Sequence, residues 1–310
     1  MTGPVYETIA VLGCGLIGSS IVRAARVHGV AGRFVVFDPS PEVRARVTEL
    51  GIADLIADSP VEAVRDADLV VLAAPPGAIG PAAEACAPGL KPGATLTDVG
   101  SVKGQVAQAL AAAAPASVFV VPGHPIAGTE FSGPDAGFAE LFHGRWTILT
   151  PRESTDPGYD GAVRRLTAFW EGMGAKVELM DERHHDLVLA VTSHLPHLIA
   201  YNIVGTAADL EEVTQNEVMK YSAGGFRDFT RIAASDPVMW RDVFVLNKDA
   251  VLEILARFTE DLQYLSRAIR WGEADKLEEL FARTREIRRG VIALGQESAE
   301  PNWGRDRDRK

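Results

Sequence analysis

The sequence is poor in cysteine and carries fewer cationic than anionic side chains. Only two of its 310 residues are cysteines, Cys14 and Cys86. They provide no disulfide framework, which suits a reducing, cytoplasmic compartment. Lysine and arginine together number 31 against 42 aspartates and glutamates, for a formal net charge of −11. This balance argues against a general affinity for nucleic acid or anionic membranes, so any anionic ligand must be held by locally placed cations.

Long apolar runs are also scarce. The most apolar stretch, residues 187–208, is interrupted by two histidines and by Ser193, Pro196 and Asn202, so we expect no membrane span. The N-terminus lacks a basic segment followed by an apolar one, and no signal peptide is expected. With 47% hydrophobic and 24% charged residues, the chain is predicted to be globular, and its length suits two domains.

The first strand-like run leads directly into a glycine-rich turn and then a helix. Gly13, Gly15 and Gly18 have the spacing of a dinucleotide fingerprint: the first for a tight turn, the second for close approach to a pyrophosphate, the third for helix–strand packing. A pyrophosphate there would meet free amides and a favourable helix dipole. We therefore predict that Leu16 and Ile17, which open the helix, bind the cofactor together with the glycines.

An acidic residue follows the second strand-like run. The helix is predicted to end at Gly29, and the run Phe34–Phe37 stops at Asp38. A carboxylate about twenty residues beyond the fingerprint accepts hydrogen bonds from the adenosine ribose hydroxyls and repels a 2′-phosphate. The cofactor is therefore predicted to be NAD rather than NADP. Arg44 and Arg46, a few residues on, are interpreted as a solvated helix face.

Strand-like runs alternate with helical patterns as far as residue 181. The later predicted strands are Leu69–Pro75, Ala94–Asp98, Val118–Val121, Trp146–Leu149 and Lys176–Leu179. This alternation predicts an α/β fold with an N-terminal Rossmann-type, doubly wound parallel sheet. Ligands of such sheets bind beyond the carboxyl ends of the strands. Pro75, the loop 100–103 with Ser101, and the loop 123–125 are therefore predicted to overhang the cofactor.

From residue 182 onward the pattern is helical. We predict a dinucleotide-binding domain over 1–181, a helical substrate-binding and dimerisation domain over 182–297, and a disordered charged tail over 298–310. Asp236 followed by Pro237 predicts a helix start. Apolar residues then recur at alternating steps of four and three: Val251, Leu255, Phe258, Leu262, Leu265 and Ile269. This heptad-like seam favours packing along another long helix, either within one copy or at a subunit interface, and we expect a homodimer.

The first candidate for chemistry is His124, directly after the fifth predicted strand. A histidine at that edge faces the nicotinamide end of the cleft and can take or hold a hydroxyl proton while hydride leaves the same carbon. A loop histidine that binds backbone is the alternative. Ser101 is either a second hydroxyl contact or a helix cap.

The helical half carries a second cluster. His184 and His185 come first, and His194 and His197 lie three residues apart on one helix face, a spacing that also fits metal. We expect no metal, because no cysteine or evident carboxylate completes the set. Arg231 offers a bidentate fork to a carboxylate in an otherwise acidic chain; a structural ion pair is the alternative.

Several motifs together resemble the prephenate dehydrogenase family of tyrosine biosynthesis. These motifs are the glycine fingerprint, Asp98-x-Gly-Ser-Val-Lys103, Gly123-His-Pro-Ile-Ala-Gly-Thr-Glu130, Ser193-His-Leu-Pro-His197, Gly225-Phe-Arg-Asp-Phe-Thr-Arg231 and Asp236-Pro-x-Met-Trp240. The resemblance as a whole covers roughly residues 5–290. The resemblance implies a Rossmann domain, a helical dimerisation domain, and NAD-dependent oxidative decarboxylation of prephenate to 4-hydroxyphenylpyruvate and carbon dioxide.

The resemblance also implies roles for individual residues. His124 would be the catalytic histidine on the ring hydroxyl, and Ser101 its hydrogen-bonding neighbour. Arg231 would anchor a substrate carboxylate, and His197 would contact the substrate side chain. Further residues implied to line or gate the site are Thr129, Glu130, Arg227 and Trp240. The family often carries a C-terminal regulatory domain or a fused mutase, for which 310 residues leave no room, so tyrosine feedback inhibition, if present, is expected to act at or near the active site.

Three alternatives remain open. The substrate could be arogenate, or an amino-deoxy analogue of prephenate, since each differs from prephenate by one polar group. The chain could instead be a hydroxyacid dehydrogenase of similar architecture, although such enzymes are expected to use a lysine on the interdomain helix. It could also be a nucleotide-sensing binding protein, against which the joint presence of His124, Ser101 and Arg231 argues.

Overall fold

The computed structural model describes residues 3–129, 131–210 and 224–293. By its contacts the chain divides into two compact units, Met1–Val251 and Leu252–Lys310. The first unit contains two β-sheets and the helical segments as far as Val251. The second begins within a long helix, and we describe it separately.

A six-stranded parallel sheet forms the centre of the first unit. Its strands, in chain order, are β1 (Tyr6–Leu12), β2 (Ala31–Phe37), β3 (Leu55–Ile56), β4 (Leu69–Leu72), β5 (Thr95–Asp98) and β6 (Phe119–Val120). Their spatial order is 3-2-1-4-5-6, the order of a Rossmann sheet. The predicted doubly wound fold is therefore confirmed. The two-residue strand β3, which pairs with β2, was not predicted.

Helices cover both faces of this sheet. They are α1 (Leu16–Val27), α2 (Pro41–Leu50), α3 (Pro60–Val64), α4 (Pro76–Cys86), α5 (Gly104–Ala113) and α6 (Tyr159–Gly172). One core cluster includes α1 and α6 side chains such as Ile21 and Trp170, and the other includes side chains of α3, α4 and α5 such as Ile79 and Leu110. Most strand residues are apolar because both faces of the sheet are buried, although β5 carries the buried polar residues Thr95, Thr97 and Asp98.

The last predicted strands do not extend this sheet. Instead, β7 (Gly123–Pro125), β8 (Trp146–Leu149) and β9 (Lys176–Leu179) form a second sheet, in which β7 and β8 are antiparallel. Pro122 lacks an amide proton and cannot continue the β6 ladder, and β7 begins directly after it. The segment 123–125 is therefore a strand rather than the predicted loop, and it holds His124 opposite Ile148.

A bent helical segment follows the second sheet. It starts with α7 (Glu182–Leu189), passes through a π-helical turn (Ala190–His194) and continues as α8 (Leu195–Asp209). After the residues outside the described ranges come α9 (Gly224–Thr230), a 3-10 turn (Arg231–Ala234) and α10 (Pro237–Leu246). The Asp236 carboxylate accepts a hydrogen bond from the Met239 amide at 2.7 Å, which confirms the predicted helix start.

This helical run also meets simple criteria for a membrane span. Within the described residues, Glu182–Asp209 is the one helical stretch that is long and apolar enough, with a mean hydropathy of 1.4 over the best window. Length and composition alone are weak grounds, since core helices meet the same criteria. Here the stretch carries the buried polar residues His185, Asp186 and His194.

Two long helices end the described chain. The first, α11 (Lys248–Trp271), contains the whole predicted seam, and α12 (Ala274–Ala293) follows it. Along the seam, Val251 is buried, whereas Leu262 and Ile269 are 48% and 66% exposed in the single chain. Part of the apolar stripe is therefore exposed among the described residues, as expected of a helix that packs on a partner.

The third fingerprint glycine supports a stability prediction. A Cβ atom at Gly18 would lie 2.0 Å from the Gly13 carbonyl oxygen and 3.2 Å from the Ala73 Cβ, whereas a Cβ at Gly15 meets nothing within 4 Å. Overpacking of a tight site costs roughly 1–3 kcal/mol. We expect Gly18→Ala to lower Tm by several degrees in thermal denaturation, and Gly15→Ala, the matched control, to change Tm by less than about 2 °C. Equal Tm values for the two variants would contradict the packing role of Gly18.

Candidate active site

The glycine turn lies at the carboxyl edge of the sheet, between β1 and α1. Gly13 has φ of 95°, a left-handed conformation that favours glycine, and its amide donates to the Phe37 carbonyl at 2.8 Å. Gly15 precedes the helix without a side-chain cap, so the first amides of α1, including those of Leu16 and Ile17, are not occupied by a capping side chain. The open surface at Gly15 and these amides fit the pyrophosphate of a dinucleotide.

Asp38, at the end of β2, is tied to the same turn. Its carboxylate accepts from the Cys14 amide at 2.8 Å and from the Ser40 amide at 3.0 Å, and the residue is 9% exposed. We expected Arg44 to lie on a solvated helix face. Instead, its guanidinium donates a hydrogen bond to the Asp38 carbonyl at 2.6 Å. Asp38 is thus fixed beside the glycine turn, where a ribose would follow the pyrophosphate.

His124 lies buried on β7. Its Nδ1 is 2.9 Å from Nε2 of His185 on α7, a contact between residues 61 positions apart. Burial, reinforced by the charges of His185, Lys103 and His194, holds the pKa of His124 well below the ordinary value of 6.5. The His124 ring is therefore neutral near pH 7 and able to accept a proton.

Asp186 follows His185 and joins α7 to the start of α5. Its carboxylate accepts from the Lys103 and Gly104 amides, each at 2.8 Å, and from Nδ1 of His185 at 2.9 Å. These hydrogen bonds lower the pKa of Asp186 although burial opposes them. The sequence placed His185 in the second candidate cluster without a role, and Asp186 was not predicted as a site residue. The available signal was helical spacing, since Leu189 lies one turn beyond His185 and is also buried.

A buried ion pair anchors His124 from the other side. The Lys103 ammonium contacts the Asp98 carboxylate and donates to the Gly123 carbonyl at 2.6 Å. Asp98 also accepts from the Gly100 amide at 2.8 Å and the Gly123 amide at 3.2 Å. Burial lowers the pKa of Lys103 despite the neighbouring carboxylate. The end of β5 is thereby locked to β7, directly before His124.

Ser101 lies between these anchors and does not cap a helix. Helix α5 begins at Gly104 with Lys103 at the cap position and no side-chain cap from its own chain segment; the Asp186 carboxylate receives the amides instead. The Ser101 carbonyl faces the buried ring of His194, and Asn247 lies 3.1 Å from His194 Nδ1. Burial lowers the pKa of His194 to about 4.

The π-helical turn leads to a second group of predicted residues. His197 stacks on Trp240 with ring centroids 3.6 Å apart, and its Nδ1 donates to the Ser193 carbonyl at 2.9 Å. Burial lowers the pKa of His197, and the nearby charge of Arg231 acts in the same direction. The structure thus places His197, Trp240 and Arg231 close to one another. Trp240 is also in edge contact with His194, which connects this group to the surroundings of His124.

The remaining predicted residues are less closely connected to this centre. Arg227 on α9 has a 79% exposed side chain and lies 3.5 Å from Asp228. Thr129 follows β7 and its hydroxyl accepts from the Phe131 amide at 3.3 Å. Pro75 is exposed at the start of α4. Glu130 lies outside the described residues. Among the residues that are described, no group of three or more His, Cys, Asp or Glu side chains is arranged to hold a metal ion.

The fold and the polar side chains at the carboxyl edge of the sheet together define a class of protein. A Rossmann-order sheet with an open glycine turn, followed by helices that bring polar side chains to its carboxyl edge, is the architecture of a nucleotide-binding dehydrogenase with a helical second region. The sequence profile described as "Prephenate dehydrogenase, nucleotide-binding domain" matches residues 21–179, and "Prephenate dehydrogenase, dimerization domain" matches residues 181–283. The chain belongs to the prephenate dehydrogenase family of oxidoreductases, which confirms the resemblance.

Individual relatives agree with this assignment. Cyclohexadienyl dehydrogenase of Zymomonas mobilis is 43% identical over 92% of this chain and 96% of its own length. The crystal structure of Aquifex aeolicus prephenate dehydrogenase with hydroxyphenyl propionate and NAD+ is 34% identical, covers 92% of this chain and 98% of its own, and superposes with a TM-score of 0.85. Synechocystis arogenate dehydrogenase is 27% identical over 92% and 100% of the two chains, with a TM-score of 0.76.

Proposed function

We propose that the protein catalyses the NAD-dependent oxidative decarboxylation of prephenate to 4-hydroxyphenylpyruvate and carbon dioxide in tyrosine biosynthesis. The observation that carries this proposal is His124, a buried neutral histidine at the carboxyl edge of a dinucleotide-binding sheet in a chain of this family. Its position suits a base on the hydroxyl group of the carbon that loses hydride.

The reaction needs positioning more than covalent help. Bound NAD supplies the oxidant, taking hydride from the ring carbinol carbon. The bond to the ring carboxylate breaks in the same conversion, its electron pair enters the ring, and carbon dioxide leaves. His124 holds the hydroxyl proton as hydride departs and returns it to the phenol oxygen, so the balance contains no net proton. Aromatisation provides a large driving force, and alignment with polarisation supplies most of the acceleration.

The other predicted residues hold the two ligands. Arg231 binds a substrate carboxylate as a bidentate cation, and His197, stacked on Trp240, contacts the substrate side chain. Ser101 adds a hydroxyl contact next to His124, while Thr129, Glu130 and Arg227 line or gate the entrance. Gly13, Gly15, Gly18, Leu16, Ile17 and Pro75 contact NAD, and Asp38 binds its ribose and disfavours NADP.

A second candidate substrate is arogenate. Because His197 Nδ1 donates to the Ser193 carbonyl, the neutral ring offers Nε2 as an acceptor, which suits the ammonium group of arogenate better than the keto group of prephenate. The relatives named for cyclohexadienyl and arogenate dehydrogenases support the same alternative. An amino-deoxy analogue of prephenate would change the group at His124 instead.

We also propose that the protein works as a homodimer through the helices beyond residue 248. The seam residues exposed in one copy and the match to a dimerization domain support this assembly. We further propose that the dinucleotide-binding domain ends at residue 181 and that the helical domain begins at residue 182. We also propose that the protein resides in the cytoplasm. Light scattering on the purified chain would test the dimer, and a monomeric mass at micromolar concentration would contradict it.

Two substitutions separate chemistry from binding. His124→Asn removes the proton acceptor and keeps a donor toward His185, so we expect kcat to fall by about 10²–10⁴-fold with little change in KM. Arg231→Ala removes a charge-assisted contact and should mainly raise KM, by roughly 10–100-fold. Arg241→Ala, at a 64% exposed arginine paired with Asp242, serves as the control for loss of a surface cation. If His124→Asn retained near wild-type turnover, the assignment of His124 as the base would be wrong.

The substrate and cofactor are tested together in a two-by-two assay. Absorbance of reduced nicotinamide is followed with prephenate or arogenate, each with NAD or NADP. We expect the highest kcat/KM with prephenate and NAD, and competitive inhibition by tyrosine against prephenate. A higher kcat/KM with arogenate would favour the second candidate, non-competitive tyrosine inhibition would place that site elsewhere, and no reduction under all four conditions would contradict the function.

A further inference from the structure

Three buried groups stand in series, and the first of them is the proposed base. Going outward from the site, His124 Nδ1 is 2.9 Å from His185 Nε2, and His185 Nδ1 is 2.9 Å from Asp186 Oδ1. His124 and Asp186 are each 8% exposed, and His185 is fully buried. His124 thus has one ring nitrogen committed to a neighbour in the series, and His185 has both.

The carboxylate determines where the ring protons lie. Asp186 receives two backbone amides in addition to His185, so it is an acceptor in all of its contacts and His185 must carry its proton on Nδ1. A neutral His185 then has a lone pair on Nε2 and can only accept there. His124 must therefore donate from Nδ1, which leaves its Nε2 as an unprotonated acceptor.

We propose that His185 and Asp186 are positioning residues that fix His124 in the tautomer with a free Nε2. The opposite tautomer would present an N–H group to the substrate hydroxyl and could not take its proton. The proposal rests on the function proposed above, in which His124 acts as the base. The arrangement follows the same logic as a buried carboxylate that fixes the tautomer of a catalytic histidine, with a second histidine inserted between the two groups.

The charged and titratable groups around His124 determine how stable a proton is on its ring. Helix α7 contributes His185 and Asp186, the segment leading into α5 contributes the Lys103 ammonium with its partner Asp98, and the π-helical turn contributes His194. Lys103 and the two histidines disfavour a positive charge on His124. As the substrate proton moves to Nε2, the new charge faces Asp186 only through His185. The pair therefore also aligns the ring as the proton is held and returned.

Protonation of either histidine destroys the base. A proton on His124 occupies Nε2, and a proton on His185 turns its Nε2 into a donor, which reverses the hydrogen bond to His124. Because burial lowers the pKa of both rings, the wild-type enzyme should keep its kcat/KM as pH falls to 6.5 and lose it at lower pH. When a group that does not titrate replaces His185, only protonation of His124 can still destroy the base.

The test uses two variants at one position. His185→Gln places an amide oxygen near the position of Nε2, so it can still accept from His124, whereas His185→Leu cannot. We expect kcat to fall less than about tenfold in His185→Gln and about 10²–10⁴-fold in His185→Leu, with KM and the NAD dissociation constant nearly unchanged in both. His184→Gln, the exposed neighbour on the same helix, is the matched control and should behave as the wild type.

The pH profile distinguishes tautomer control from simple support of the fold. In His185→Gln the acid limb of kcat/KM should move to lower pH, because only His124 then titrates, and in His184→Gln it should stay in place. Equal losses of kcat in His185→Gln and His185→Leu, with the limb unmoved, would overturn the proposal.

Nitrogen NMR of the substrate-free protein, selectively labelled with 15N-histidine, provides a readout independent of turnover. Near pH 7 the wild type should show His124 protonated on Nδ1 and unprotonated on Nε2, and His185→Leu should show a mixture of tautomers. A proton on Nε2 of His124 in the wild type would overturn the tautomer assignment even if prephenate is oxidised. Conversely, the expected tautomer without oxidation of prephenate or arogenate would contradict the proposed function alone.

Discussion

One carboxylate connects the helical segment to the sheet on which the site is built. Asp186 accepts the amides at the start of α5 and the ring of His185, and its own backbone carbonyl accepts from Asn247 at 2.9 Å. Hydrogen bonds to a charged group contribute roughly 1.5–3 kcal/mol each, and the buried carboxylate would be costly without them. Because three segments converge on Asp186, this residue helps to fix the position of His124 relative to the helices.

The consequence for chemistry is a buried site with neutral histidines. His124, His185 and His194 are kept neutral by burial, while the buried positive charge of Lys103 is matched by Asp98. A neutral imidazole can accept a proton without first losing one. Arg231 is exposed in the single chain, and in the proposed function it supplies positive charge for an anionic substrate. The overall negative charge of the chain is thereby offset only locally.

Features encoded in local spacing could be predicted from the sequence. The glycine turn, the Asp236 helix start and the apolar strands of the parallel sheet follow from short-range sterics and periodicity. The separation of β7–β9 into a second sheet could not be foreseen, because it depends on pairing between distant strands. The contact of His185 with His124 and the role of Asp186 were missed for the same reason: their partners lie 61 and 83 residues away, and no short motif specifies such contacts. Which substrate group faces His197 likewise depends on tertiary placement.

The central claim is that hydride loss and decarboxylation belong to one conversion at His124. The most direct measurement follows reduced nicotinamide by absorbance and carbon dioxide by membrane-inlet mass spectrometry in the same reaction of the wild-type protein with prephenate and NAD. The account predicts the two products in a one-to-one ratio from the first turnovers onward. Reduced nicotinamide without carbon dioxide would indicate an ordinary hydroxyacid dehydrogenase and would contradict it.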